Sequence, residues 1–357
     1  MNHSVLLSES VVHRLLIVDD SPYYRLRFSK IFARSEHLDV VGVAEDGDVA
    51  IKQIVELRPD IVLLDLLMPR LDGFGVLRWA MTNHPLPVVV CSSFSDRERV
   101  FKALEFGAVD FLLKPTPRAT QLTSSLEDQI IRRVEEAATA RTVSRNITNA
   151  DTKAAIVAAE REAREASIEL VCIAASTGGP GAIQRLVAEL PSDLEVPIIV
   201  AQHMPVGFTG PFAERLNSIC HYKVREARDR EPVKNGRIYI APAGAQTLVA
   251  REGGRLLLQV ISGLQNYLHA PSGDALFLSA AEACKEKTLA IVLTGMGEDG
   301  AHGAEAVRRA GGHVLAESNE SAIVFGMPRS VIERGCANAM LPLGAIPRIL
   351  LAYTTSD

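Results

Sequence analysis

A chain of 357 residues with 47% hydrophobic and 23% charged side chains has globular usage, which excludes disordered, collagenous and coiled-coil classes. At roughly 150 residues per domain the length predicts two domains. Thirty-eight basic against 43 acidic residues leave a net charge of −5, so the overall electrostatic footprint of a nucleic-acid or anionic-lipid binder is missing. The five cysteines are odd in number, widely spaced and free of any Cys-x-x-Cys pair, which fits a reducing compartment better than a disulfide or zinc framework. The N-terminus lacks a signal-peptide pattern, and no apolar run reaches the ~18 residues needed to cross a bilayer. A cytoplasmic protein without membrane insertion is expected.

In chain order, short apolar runs predict strands at Leu15 to Val18, Val40 to Ala44, Ile61 to Leu64, Val88 to Cys91 and Phe111 to Leu113. Helical patterns lie between them at Tyr23 to Ala33, Asp48 to Leu57, Phe74 to Asn83 and Asp96 to Phe106. Strands alternating with helices predict βαβ crossovers and a parallel doubly wound sheet. Between Arg118 and Thr177 there is no Gly, Pro or aromatic residue. The middle of that stretch, rich in Ala, Arg, Glu and Thr, reads as an exposed, partly helical linker. A second alternating pattern follows, with strands at Leu170 to Ala174, Pro197 to Val200, Arg237 to Ile240, Leu289 to Leu293 and His313 to Ala316. The expected domains are 14–132 and 168–357, with 133–167 connecting them.

Ligands of an open parallel sheet collect outside the carboxyl ends of its strands. In the first domain those ends carry Asp19 and Asp20, then Asp65, Ser92 and Lys114. Three carboxylates at one rim repel each other unless a hard cation with oxygen ligands joins them, and Mg²⁺ is the natural candidate. A hydroxyl and an ammonium beside it suit the remaining oxygens of a phosphoryl group. Singly each residue has a plainer reading, such as Asp20-Ser21-Pro22 as a helix cap.

In the second domain the strand from Leu170 runs into Ser176-Thr177-Gly178-Gly179-Pro180 and then an amphipathic stretch. That sets Ser176 on a tight strand-to-helix turn, beside free amides and a positive dipole end that favour an oxyanion. Phosphate binding by the Gly-rich turn is the weaker rival, since neither a Gly-x-Gly-x-x-Gly nor a Walker lysine follows. A serine nucleophile needs a base and a group to orient it. His203, in Gln202-His203-Met204-Pro205, and Asp299, in Thr294-Gly295-Met296-Gly297-Glu298-Asp299, fall just past strands at the same rim. The order Ser, His, Asp differs from that of the α/β-hydrolases. Nothing at metal-ligand spacing accompanies His221 or His302.

Two resemblances follow from these motifs. Residues 14 to about 132 resemble a response-regulator receiver domain, through Leu16-Ile17-Val18-Asp19-Asp20-Ser21, Asp65-Leu66-Leu67-Met68-Pro69-Arg70-Leu71-Asp72-Gly73, Val90-Cys91-Ser92-Ser93 and Leu113-Lys114-Pro115. The resemblance implies a flavodoxin-like five-stranded domain in which a histidine kinase phosphorylates Asp65. It also implies that Asp19, Asp20 and Asp65 hold Mg²⁺, that Ser92 and Lys114 sense the phosphoryl group, and that Phe111 is an aromatic that rearranges on activation. Residues 168 to about 353 resemble the catalytic domain of the chemotaxis protein-glutamate methylesterases, the CheB family. Ile240-Ala241-Pro242, Pro271-Ser272-Gly273-Asp274-Ala275-Leu276-Phe277 and Val324-Phe325-Gly326-Met327-Pro328 carry it further. This resemblance implies a triad of Ser176, His203 and Asp299, with the Met296 amide binding the oxyanion and Thr177 beside the nucleophile. It needs no cofactor for the hydrolysis. Two positions depart from the family pattern: Ala174 where Gly is usual and Gly273 where Val is common.

The sequence therefore predicts a phosphorylation-controlled serine hydrolase that removes γ-methyl esters from glutamates on the cytoplasmic helices of chemoreceptors, and that also deamidates glutamines. A receiver with a DNA-binding or purely protein-binding output is the rival class, and it lacks a basic helix-turn-helix segment here. A target outside motility chemotaxis stays open.

Overall fold

The computed structural model describes residues 11–93, 96–115, 124–140, 150–190, 196–263 and 266–354. The chain divides into two compact units, Met1–Thr142 and Val143–Asp357.

The first unit alternates β1 (His13–Val18), α1 (Pro22–Phe32), β2 (Leu38–Ala44), α2 (Gly47–Leu57), β3 (Ile61–Asp65), α3 (Gly73–Asn83), β4 (Val88–Ser92), α4 (Arg97–Glu105), β5 (Asp110–Leu113) and α5 (Ser124–Ala138). Local chemistry marks the helix starts. Pro22 sits in the first turn of α1, and the Asp46 and Asp72 carboxylates accept the Val49 and Gly75 amides at the starts of α2 and α3. The strands run parallel in the order β2-β1-β3-β4-β5. Every residue of β3 and β4 is buried, as a sheet covered on both faces demands. The last helix is pinned by Arg133, whose guanidinium forks onto the fully buried Asp110 carboxylate at 2.8–3.1 Å. Chain order reverses between β1 and β3, so the crevice at a switch point lies outside their carboxyl ends.

The second unit holds α6 (Ala150–Arg164), β6 (Leu170–Ala175), α7 (Gly179–Ala188), β7 (Ile198–Gln202), α8 (Thr209–Ile219), β8 (Lys223–Glu226), β9 (Arg237–Ile240), β10 (Ala245–Glu252) and β11 (Arg255–Ser262). It continues with α9 (Gly273–Cys284), β12 (Thr288–Val292), α10 (Ala301–Arg309), β13 (His313–Glu317), α11 (Met327–Glu333), β14 (Ala339–Leu341) and α12 (Ile346–Thr354). Seven strands pair in the order β14-β13-β12-β6-β7-β9-β8, all in parallel. The antiparallel hairpin β10–β11 stands outside that sheet. Here the reversal falls between β6 and β12. The core beside them is built from β6, β12, α9 and α10, with Phe277, Leu276, Ala280, Ala304 and Val307 fully buried.

The connecting segment is narrower than expected. Residues 133–138 belong to α5, and α6 is not an exposed linker helix but packs on α12 and β14 of the second unit. Ala159 and Ala163 are buried, while Glu162 reaches His313 and Asn338 and Thr152 reaches Glu320. Small side chains on one face of α6 let it seat closely, which composition alone did not reveal. Residues 141–149 of the expected linker lie outside the described residues.

Candidate active site and phosphoacceptor pocket

In the first unit the ends of β1 and β3 bring Asp19, Asp20 and Asp65 together, with carboxylate oxygens all within 4.8 Å of one another. Asp19 and Asp65 are buried, and Asp20 is exposed. Lys114, one residue past β5, sets its ammonium 2.7 Å from both Asp19 Oδ2 and Asp65 Oδ2 and 4.7 Å from the centre of the Tyr24 ring. Burial lifts the Asp65 carboxyl to about 6 against the pull of Lys114, and it lifts Asp19 as well. Burial works against the charge of Lys114, yet its bonds to the two carboxylates outweigh that and raise it. Ser92 is buried at the end of β4, its carbonyl accepting the Lys114 amide at 2.8 Å. Phe111 is fully buried in β5 with the Arg133 guanidinium 5.8 Å from its ring centre. A set of three carboxylates gathered at one rim, all offering oxygen donors, fits a hard divalent cation.

In the second unit β6 ends at Ala175, and Ser176 begins the turn into α7. Gly178 takes φ +79° there, a conformation that glycine adopts without strain. Gly179 must also lack a side chain, because a Cβ would lie 2.0 Å from Gln202 Oε1. Gln202 is fully buried, and its Nε2 donates to the carbonyls of Ser176 at 2.9 Å and His203 at 3.0 Å. One amide group thus ties the strand ends of β6 and β7 together. The His203 amide donates to Ala175 O at 3.0 Å, which continues the ladder one residue beyond the strands.

His203 Nε2 lies 2.7 Å from Asp299 Oδ2, and the His269 ring stacks on the imidazole at 4.0 Å. Asp299 sits over the start of α9. Its Oδ2 accepts the Gly273 amide at 2.6 Å, and its Oδ1 accepts the Ser272 hydroxyl at 2.7 Å and the Asp274 amide at 3.0 Å. Burial would raise this carboxyl, but His203, Ser272 and the Asp274 amide together hold it well below the usual carboxylate range, with the helix N-terminus adding to the effect. Ser272 is fixed in turn by Gln246, whose Oε1 accepts the Ser272 amide at 2.8 Å. Among the described residues Ser176 Oγ makes no hydrogen bond to His203; such bonds commonly close only around bound substrate.

Gly295 backs directly on the nucleophile, since a Cβ there would lie 2.8 Å from Ser176 Cβ. The next residue, Met296, is half-exposed, and its amide has no acceptor among the described residues. Thr177 is buried, and its carbonyl accepts the Thr294 hydroxyl at 2.9 Å. Ala174 and Gly273 adjoin: a Cβ at Gly273 would fall 2.6 Å from the Ala174 methyl. The Ala174 methyl thus occupies the space that a side chain at Gly273 would need.

Sequence reasoning quoted Gln202 and Ser272 inside its motifs without giving them a role, and it did not find Gln246, His269 or Glu317. A buried amide or hydroxyl leaves no periodic signal that separates it from a solvated one.

A family model described as CheB methylesterase matches residues 171–350, and one described as response regulator receiver domain matches residues 15–127. A protein-glutamate methylesterase/protein-glutamine glutaminase of Geobacter sulfurreducens is 39% identical, over 95% of this chain and 96% of that protein. One from Myxococcus xanthus is 41% identical, over 97% and 98%. The crystal structure of the Thermotoga maritima CheB methylesterase catalytic domain is 42% identical with a TM-score of 0.51, and it covers 52% of this chain and 98% of that one. With these likenesses spanning both units, the chain belongs to the CheB family of protein-glutamate methylesterases, with a response-regulator receiver domain preceding the catalytic one.

Proposed function

We propose that Ser176, His203 and Asp299 hydrolyse γ-methyl esters of glutamate on the cytoplasmic helices of methyl-accepting chemoreceptors. The observation that carries this reading is the His203–Asp299 pair at 2.7 Å, at the switch point where Ser176 occupies a glycine-bounded turn. Ser176 Oγ attacks the ester carbonyl and gives its proton to His203. Because Nε2 faces Asp299, Nδ1 is the nitrogen left to take it. The Met296 amide receives the developing oxyanion, and the depressed Asp299 carboxylate stabilises the imidazolium. His203 returns the proton to the departing methoxide, methanol leaves, and water resolves the acyl-enzyme by the same route. A glutamine side chain undergoes the same acyl transfer with ammonia leaving.

Control rests with the receiver domain. Asp65 is the phosphoacceptor, supplied by a histidine kinase, with Ser92 and Lys114 receiving the phosphoryl oxygens and Phe111 as the responding aromatic. Asp19, Asp20 and Asp65 are the residues that would hold Mg²⁺, which would neutralise the crowded oxygens during transfer. Among the described residues no helix is long and apolar enough to cross a membrane. The test is methanol release from methylated receptor fragments, with and without acetyl phosphate. Release by wild type and none by Ser176→Ala is expected; equal release by both would refute the assignment.

A further inference from the structure

Glu317 closes β13 with no measurable exposure, and the hydrolysis described above does not use it. A buried carboxylate is costly unless its oxygens are satisfied, and here both accept hydrogen bonds. Oε2 takes the Thr294 amide at 2.8 Å and Oε1 takes the Ser321 hydroxyl at 2.8 Å. Backbone pairing between β12 and β13 stops at Val292 with Ala316, so the Glu317 side chain supplies the acceptor that a neighbouring strand no longer provides. That lets β12 leave the sheet and become the loop from Leu293 to Gly300 without stranding a buried amide.

Thr294 then grips the nucleophile turn twice. Its carbonyl accepts the Ser176 amide at 3.0 Å, and its hydroxyl donates to Thr177 O at 2.9 Å while accepting the Val324 amide at 2.9 Å. The following residue, Gly295, backs on Ser176, and Met296 comes next. We propose that Glu317 is a positioning residue for the hydrolysis: through Thr294 it fixes the spacing between the Ser176 turn and the Met296 amide. This inference rests on the reading of Ser176 as nucleophile. Burial lifts the Glu317 carboxyl to about 7, opposed by the Thr294 amide, the Ser321 hydroxyl and the charge of Arg185. An uncharged acceptor of equal length should therefore serve in its place.

The experiment compares Glu317→Gln, Glu317→Asp and Glu317→Leu in the full-length protein. The assay is methanol release from methylated receptor fragments, with circular dichroism and thermal melting as folding controls and wild type and Ser176→Ala alongside. Glutamine keeps an acceptor within reach of the Thr294 amide, whereas aspartate withdraws it by one methylene and leucine removes it. A misplacement of about 1 Å at a reacting group costs up to about 100-fold in rate. The expected result is a kcat within about threefold of wild type for Gln, a loss of about tenfold or more for Asp and Leu, and a KM within about twofold throughout. If the leucine variant does not fold, the aspartate variant, whose volume change is small, decides. Wild-type kcat in folded Glu317→Asp, or a Gln variant as slow as Asp, overturns the positioning role and leaves Ser176 untouched. Methanol release by Ser176→Ala at the wild-type rate overturns the underlying reading and this inference with it.

Discussion

Replacing Asp299 by asparagine changes one heavy atom, and the structure dictates why that should be severe. All four contacts to the carboxylate come from donors: the Ser272 hydroxyl and Asp274 amide on Oδ1, the Gly273 amide and His203 on Oδ2. Whichever oxygen becomes an NH₂ group, it faces a backbone N–H that cannot turn away. One buried donor left unpaired costs about 1–3 kcal/mol, and a lost hydrogen bond to a charged group about 1.5–3 kcal/mol. The two overlap, so a loss of about 3 kcal/mol in the stability of the second unit is expected. The catalytic loss should be larger, about 10³- to 10⁴-fold in kcat, because a neutral amide neither fixes the productive imidazole tautomer nor stabilises the imidazolium. The pH dependence has a defined sign. A carboxyl held below its ordinary value of about 3.9 contributes stability above that pH and loses it as pH falls through the folded value. The gap between wild type and Asp299→Asn should therefore be full above about pH 5 and narrow below about pH 4. Urea denaturation followed across pH, with methanol release at neutral pH, measures both. An asparagine variant within about 1 kcal/mol of wild type, or one that retains a tenth of its turnover, would refute the reasoning.

Ser176→Ala and His203→Ala should each abolish ester hydrolysis, and the double variant should be little slower than either alone, since triad members act as a unit; single-turnover assays of the three proteins decide it. Asp65→Asn should take up no label from radiolabelled acetyl phosphate in Mg²⁺, and persistent labelling at the wild-type level would move the phosphoacceptor elsewhere. Gly273→Ala should cost about 1–3 kcal/mol by overpacking against the Ala174 methyl, and Ala174→Gly should restore most of it. Thermal melts that show strictly additive effects for this pair would argue against the contact.

The strand ends were legible because they combine two strong signals, an apolar run too short for a helix and a polar residue that ends it. Asp19, Asp65, Ser92 and Lys114 in one sheet, and Ser176 and His203 in the other, were readable on those grounds. The hairpin was missed although its signal was present: Gly253-Gly254 join β10 to β11 as a two-residue turn. The edge strands β8 and β14 were illegible for a different reason. Lys223–Glu226 and Ala339–Leu341 are too short and too polar or small to show alternation, and they become strands because a neighbour offers a free ladder. The supporting polar groups were hidden as well. Whether Gln202 or Glu317 faces water or the interior depends on which strand lies next to it, and only the three-dimensional order of the sheet supplies that.

The docking of α6 redraws the line along which this protein divides into exchangeable cassettes. A catalytic fragment cut just before β6 would strip α6 from α12 and β14 and uncover the surface on which Ala159 and Ala163 are buried. The compact unit that holds β6 to α12 includes α6 as well. Any graft that respects this boundary carries its own packed N-terminal helix with it.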